Sequence, residues 1–276
     1  MSHYSSSEAQ DAAAKMARAN TDPLFILDSM PQMFGGHDDQ TPNGTVTFVR
    51  RGGQVYAVTA AHVVIDGIEE AKSKVPSPLP QLISGRHLMP IGKVSTRNQL
   101  ESAFVQPRAP WPEPSDPDIA IAVLKDAYWK ELSSNKGKRC IDLDTWMPPQ
   151  YTEAKLCMAA GYPTEHKSLA DDMVRTGMLQ AVAELQPGAD ASRFFMHSRL
   201  DKPHNRFFSG MSGGVVYADQ DEGDMVPIGI VYEGLPGGSK AWEQRDDQAY
   251  FDGRDIVVKG LYLTPEIFDG WLAGID

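Results

Sequence analysis

Apolar residues in this 276-residue chain fall in short alternating or continuous runs, without the three-and-four spacing of long helices. Thr45-Val46-Thr47-Phe48-Val49 and Val55-Tyr56-Ala57-Val58-Thr59 are β-branched and aromatic, and Arg50-Arg51-Gly52-Gly53 separates them. That is the pattern of a hairpin. Runs at 89–94, 119–124, 154–160, 177–182, 193–197, 226–232 and 256–258 also read as strands. The stretch 66–117 is irregular, and its proline-rich patches at 76–80 and 110–114 read as surface loops. Helical pattern is confined to three places. An alanine-filled segment runs from Ser6 to about Ala19, and a helical or linker segment from Asp126 to about Gln150 separates two halves. Thr264-Pro265-Glu266 carries a cap residue and a proline at the first helical position, and opens a short amphipathic helix through Phe268 and Trp271. Pro23-Leu24-Phe25-Ile26-Leu27 reads as an apolar segment packed on the main body.

Composition agrees with a turn-rich, mostly β protein: 24 glycines, 20 prolines and 41% hydrophobic residues, enough to bury the core of one large or two small domains. A formal charge of −11 opposes general affinity for nucleic acid or for an anionic membrane. The first residues, Met1-Ser2-His3-Tyr4, show no basic start or apolar run, and no segment approaches the roughly 18 apolar residues of a membrane span. Cys140 and Cys157 are too few for a disulfide framework and are expected as reduced, packed thiols in a cytoplasmic protein. His37, beside Asp38 and Asp39, reads as a solvated loop histidine in preference to a metal ligand, and no metal or cofactor is expected.

Three residues carry candidate chemistry. Ser212 lies in Gly210-Met211-Ser212-Gly213-Gly214, just before the apolar run Val215-Val216-Tyr217. Glycines there allow a turn that presents a hydroxyl and two backbone N–H groups together, although a hairpin turn or bulge reads the same way. His62 follows Ala60-Ala61 at a strand end, as a base or as a satisfied core histidine. Asp118 opens the buried run Ile119-Ala120-Ile121, either capping a turn or paired inside. A serine hydroxyl is a poor nucleophile unless a base lies within hydrogen-bond reach and a third group orients that base. His62, Asp118 and Ser212 supply one candidate for each role. The nucleophile elbow of α/β-hydrolases also matches G-x-S-x-G, but its histidine follows the serine, and no histidine follows Ser212 here.

At this point the chain resembles the trypsin/chymotrypsin-like serine proteases, over roughly residues 44–263. Thr59-Ala60-Ala61-His62-Val63 is similar to that family's histidine motif, Asp118-Ile119-Ala120-Ile121 to its aspartate motif, and Gly210-Met211-Ser212-Gly213-Gly214 to its serine motif. The resemblance implies an all-β fold of two six-stranded antiparallel β-barrels with the site between them. Around them stand an N-terminal helical extension (1–41) and a C-terminal helix (264–276); the first barrel is 42–135 and the second 150–263. It implies Ser212 as nucleophile, His62 as general base and then acid, Asp118 orienting His62, and the N–H groups of Gly210 and Ser212 holding the oxyanion. Tyr232, Glu233 and Gly234 are similar to the strand that pairs with substrate backbone.

Three departures accompany the resemblance. Met211 stands where secreted trypsin-like enzymes carry an aspartate that binds a newly cut N-terminus, so the oxyanion turn is expected to be held by other contacts. Arg206, counting back from Ser212, falls near the base of the primary specificity pocket, where it either favours an acidic substrate side chain or turns to solvent. Glu233 puts a carboxylate where the family usually has an aromatic residue, which narrows the cleft or attracts basic residues. The expected function is cleavage of a protein or peptide substrate, with control by a regulatory protein partner. The alternative is a silent or gated family member that binds extended peptides through a β edge. An esterase on the same scaffold shares the chemistry.

Overall fold

Gly52 and Gly53 both adopt positive φ (58° and 76°), as a two-residue hairpin turn of the primed type requires. They join β2 (Asn43–Arg51) to β3 (Gln54–Thr59) and confirm the hairpin. The structure is a computed structural model that describes residues 7–29, 43–84, 87–108, 116–148, 156–170, 173–188, 190–219, 225–236 and 253–275.

The first half opens with α1 (Ser7–Asn20) and β1 (Thr21–Asp28), which precede that hairpin. After β3 come α2 (Ala61–Ala71), β4 (Pro78–Ser84), β5 (His87–Pro90), the small hairpin β6 (Gly92–Val94) and β7 (Leu100–Ser102), β8 (Ala120–Val123), α3 (Asp126–Lys136) and β9 (Ile141–Asp142). They build a 7-stranded sheet in the order β5-β4-β1-β2-β3-β8, with β9 parallel to β2.

This corrects the expected first barrel, which is a half-barrel and not a closed set of six strands. Pro78, Pro80 and Pro90 supply no N–H to a ladder. The opening between β5 and β8 is spanned by residues 91–105 through isolated bonds: Ile91 N–H to Pro80 O (2.9 Å), Ala103 N–H to Ile91 O (3.0 Å) and a single bridge between Val105 and Ile121. Two further readings change. The patch around Pro78 is a strand with Leu79 fully buried, and the four consecutive residues Leu79 to Leu82 are all buried, covered on one side by β1 and on the other by β5. Residues 21–28 are not an extension, since β1 pairs with both β2 and β4.

The second half contains β10 (Leu156–Gly161), a 3₁₀ turn at Thr164–His166, the hairpin β11 (Lys167–Ala170) and β12 (Met173–Thr176), β13 (Leu179–Pro187), β14 (Arg193–Arg199), β15 (Val215–Asp219), β16 (Met225–Leu235), β17 (Asp255–Tyr262) and α4 (Pro265–Ala273). Six of these strands close a barrel in the order β10-β13-β14-β17-β16-β15. Thr264 caps α4 as expected, its Oγ1 accepting from Ile267 N–H at 3.2 Å.

One apolar cluster is common to both halves. Val49, Val58, Ile119 and Ile121 of the first meet Met158, Val215, Tyr217 and Ile230 of the second, with Ala13 and Ala17 of α1 and Phe268 and Trp271 of α4. The Phe268 ring meets Tyr56 edge-on at 5.4 Å, so the last helix closes over the first hairpin. Trp271→Ala would empty a fully buried indole at this junction. We expect a loss of about 3–5 kcal/mol in urea-denaturation stability.

Candidate active site

The β3–β8 ladder, in which Thr59 faces Ala120, delivers His62 and Asp118 to one place. His62 is the second residue of α2, so it stands in the first turn of a helix and not on a strand end. The N-cap position, Ala60, has no side chain to satisfy that turn. Asp118 satisfies it from outside: its Oδ1 accepts from His62 N–H at 3.0 Å, and it also accepts from the Ala61 backbone. Its other oxygen lies 2.8 Å from His62 Nδ1. The carboxylate therefore caps the helix and orients the imidazole at once, leaving Nε2 as the basic nitrogen.

The titration of the pair follows from these contacts. Burial is the largest influence on His62 and pulls its pKa down, but the hydrogen bond and charge of Asp118, with the charges of Asp66 and Glu233, leave it above the ordinary histidine value. Burial likewise pushes Asp118 up, and its bonds to His62 and to the Ala61 and His62 backbone bring it below the usual carboxylate range.

Ser212 sits in a turn with almost every peptide group fixed. Met211 N–H donates to Phe208 O (3.0 Å), Gly213 N–H to Val231 O (2.7 Å) and Gly214 N–H to Met211 O (2.8 Å). On the carbonyl side, Ser209 O accepts from Thr164 N–H (2.7 Å), Gly210 O from Thr45 Oγ1 (3.0 Å), Ser212 O from Thr45 N–H (2.9 Å) and Gly213 O from Thr47 Oγ1 (2.8 Å). Among the described residues, the N–H groups of Gly210 and Ser212 have no acceptor. In a trans peptide the C=O and N–H point to opposite sides. With Ser209 O and Met211 O held inside the protein, the N–H groups of Gly210 and Ser212 are turned the other way. Glycine is required at 210 and 213, where φ is +92° and +89° and a Cβ would overlap the backbone of Tyr162 and Thr164 or of Thr45 and Thr59.

The Ser212 hydroxyl donates to Tyr232 O at 3.2 Å and makes no hydrogen bond to His62. The segments that carry them approach each other at Gly44, where a Cβ would lie 2.9 Å from Val63 Cγ2 and 3.3 Å from Ser212 O. Glu233, next to Tyr232, pairs with Lys259 across the β16–β17 ladder at 2.6 Å. Gly234 packs on Phe208. Arg206 is exposed, and its backbone N–H donates to His204 Nδ1. No hydrogen bond or ion pair among the described residues links it to the other candidate residues.

Asn43, Thr45, Thr47 and Thr164 were not visible as site residues from sequence. Their signal is faint: Thr45 and Thr47 are wholly buried hydroxyls on a strand that an apolar environment would otherwise fill. Cys140 and Cys157 are free thiols, and burial pushes that of Cys157 up to about 12. No group of three or more ligating side chains among the described residues would hold a metal ion, and His37 lies outside them. No described helix is long and apolar enough to cross a membrane. Asp118→Asn removes what offsets burial at His62, so the imidazole pKa is expected to fall. An NMR titration of the His62 ring checks this independently of any activity.

No protein-family model and no curated protein matches the chain. Among solved structures it is similar to the thermostable serine protease AL20 from an extremophilic microorganism, at 13% identity, 93% of this chain, 97% of that chain and TM-score 0.48. Protease Anisep from Arthrobacter nicotinovorans gives 11%, 93%, 95% and 0.47. Neuropsin, a serine protease of mouse brain, gives 14%, 94%, 95% and 0.41. At such identities and TM-scores these likenesses decide neither the fold nor the chemistry, which rest on the chain's own geometry.

Proposed function

We propose that this chain is a serine endopeptidase that hydrolyses peptide bonds through an acyl-enzyme intermediate. The observations that carry the reading are the N–H groups of Gly210 and Ser212, which lack an acceptor among the described residues and flank the serine, and a histidine doubly held by a carboxylate. Rotation about χ1 frees the Ser212 hydroxyl from Tyr232 O and turns it to His62 Nε2. The oxygen then attacks the substrate carbonyl carbon while its proton passes to His62. Negative charge collects on the carbonyl oxygen, which the two free N–H groups bind; one such donor is worth about 2.7–4 kcal/mol in the transition state. The imidazolium returns its proton to the leaving amine, and a water repeats the sequence on the acyl-enzyme. Asp118 holds the ring throughout.

The substrate class is a protein or peptide lying along β16 past Tyr232, Glu233 and Gly234. Arg206 and a cytoplasmic regulatory partner belong to the same proposal. A second reading, a silent or partner-gated member that binds extended peptides, is favoured by one contact: the Ser212 hydroxyl bonded to Tyr232 O in place of His62.

A fluorophosphonate probe separates them, because it reacts only with an activated serine. Labelling of the wild type, lost in both Ser212→Ala and His62→Ala, is expected. A folded wild type that stays unlabelled, alone and in lysate of its native source, would sink the endopeptidase reading. Labelling should also rise with pH through the elevated pKa of His62, since the neutral imidazole is the base.

A further inference from the structure

The Ser209–Gly210 peptide has a problem that its neighbours do not share. Gly210 has no side chain and a φ of +92°, so little in its own chemistry opposes rotation of that peptide unit. A flip would carry the Gly210 N–H to the opposite side and leave the Ser209 carbonyl in its place. The buried Met211 side chain carries no charge with which to anchor the turn.

One hydrogen bond opposes the flip, that from Thr164 N–H to Ser209 O at 2.7 Å. Thr164 is itself held from the other half of the molecule. Asn43, the first residue of β2, accepts from Thr164 Oγ1 at 2.9 Å through Oδ1 and donates through Nδ2 to Tyr162 O at 3.0 Å. Tyr162 N–H donates in turn to Thr45 Oγ1 at 2.9 Å. The assembly closes directly on the glycine: a Cβ on Gly210 would lie 2.8 Å from Thr164 N and Tyr162 O and 2.9 Å from Asn43 Nδ2. Both ends of the Asn43 amide are engaged, so the side chain works as a clamp on the 162–164 loop.

We infer that Asn43 is a positioning residue for the proposed hydrolysis, fixing the 162–164 loop so that Thr164 N–H locks the Ser209–Gly210 peptide with the Gly210 N–H free for the oxyanion. The inference rests on the serine-hydrolase reading. It extends that reading by naming what keeps the oxyanion site formed without a charged anchor.

Three variants test it: Thr164→Pro, Thr164→Ala and Asn43→Ala. Thr164 is the first residue of its 3₁₀ turn, and Pro163 before it has φ −61° and ψ 144°, the conformation a residue preceding proline adopts. Thr164→Pro therefore deletes the N–H in a backbone conformation that proline accepts, while its ring also crowds Ser209 O, whereas Thr164→Ala deletes the hydroxyl and keeps the N–H. For Thr164→Pro we expect fluorophosphonate labelling and kcat to fall roughly 100-fold or more, the range for loss of one oxyanion donor. Asn43→Ala should lose about tenfold, a fraction of that range, and Thr164→Ala less, with KM near wild type in all three. Wild-type labelling and kcat in folded Thr164→Pro and Asn43→Ala would overturn the inference while leaving the hydrolase reading intact. So would a fall in melting temperature and a rise in KM with kcat unchanged, which would make the clamp merely structural. If Thr164→Pro does not fold, Asn43→Ala decides alone. An unlabelled wild type overturns the hydrolase reading and this inference with it.

Discussion

The hydroxyl of Thr45 stands where the two halves of the molecule meet, and the serine turn depends on it. It accepts from Tyr162 N–H and donates to Gly210 O, while the backbone N–H of the same residue donates to Ser212 O. Thr47, two residues along the same face of β2, adds its hydroxyl to Gly213 O. Both threonines are fully buried. In so dry a place an unpaired donor or acceptor costs about 1–3 kcal/mol, so the network is stable only when complete. The turn thus takes its shape from a strand more than 160 residues earlier in the chain.

Charge is arranged with similar economy. Asp118 both caps α2 and orients the imidazole, so one carboxylate satisfies a helix end and tunes a base. Glu233 adds to the negative field at His62, yet its own charge is matched by Lys259 on the neighbouring strand. Both members of that pair are partly exposed, and the ion pair contributes little to stability. Its effect is on the electrostatic field around His62.

Much of this architecture was legible in the sequence where local chemistry decides. Gly52-Gly53 between β-branched runs specified a tight hairpin, Thr264-Pro265 specified a helix start, and the apolar runs of the second half specified barrel strands. Where tertiary contacts override local preference, the reading failed. Pro78 and Pro80 argued for a loop, but β1 was available as a partner and Leu79 had a core to enter. The same prolines weaken the ladder that a closed first barrel would need. At the site, His62, Asp118 and Ser212 stood out because a histidine after two alanines, an aspartate opening an apolar run and a serine among glycines follow one another in the order of the family motifs they resemble. Thr45 and Thr47 did not, because threonine in a strand is ordinary by β-propensity and only burial reveals its second duty. Asn43 and Thr164 were invisible for a further reason: their partners are 119 and 121 residues apart in the chain.

A turn wired from a distant strand also has a history. As the chain leaves the ribosome, Asn43, Thr45 and Thr47 exist long before the residues they hold, and α4, which closes over the first hairpin, follows them all. The serine turn acquires its final shape only when both halves are complete and docked. A molecule whose two halves are sprung apart contains every residue of the candidate site and none of its alignment.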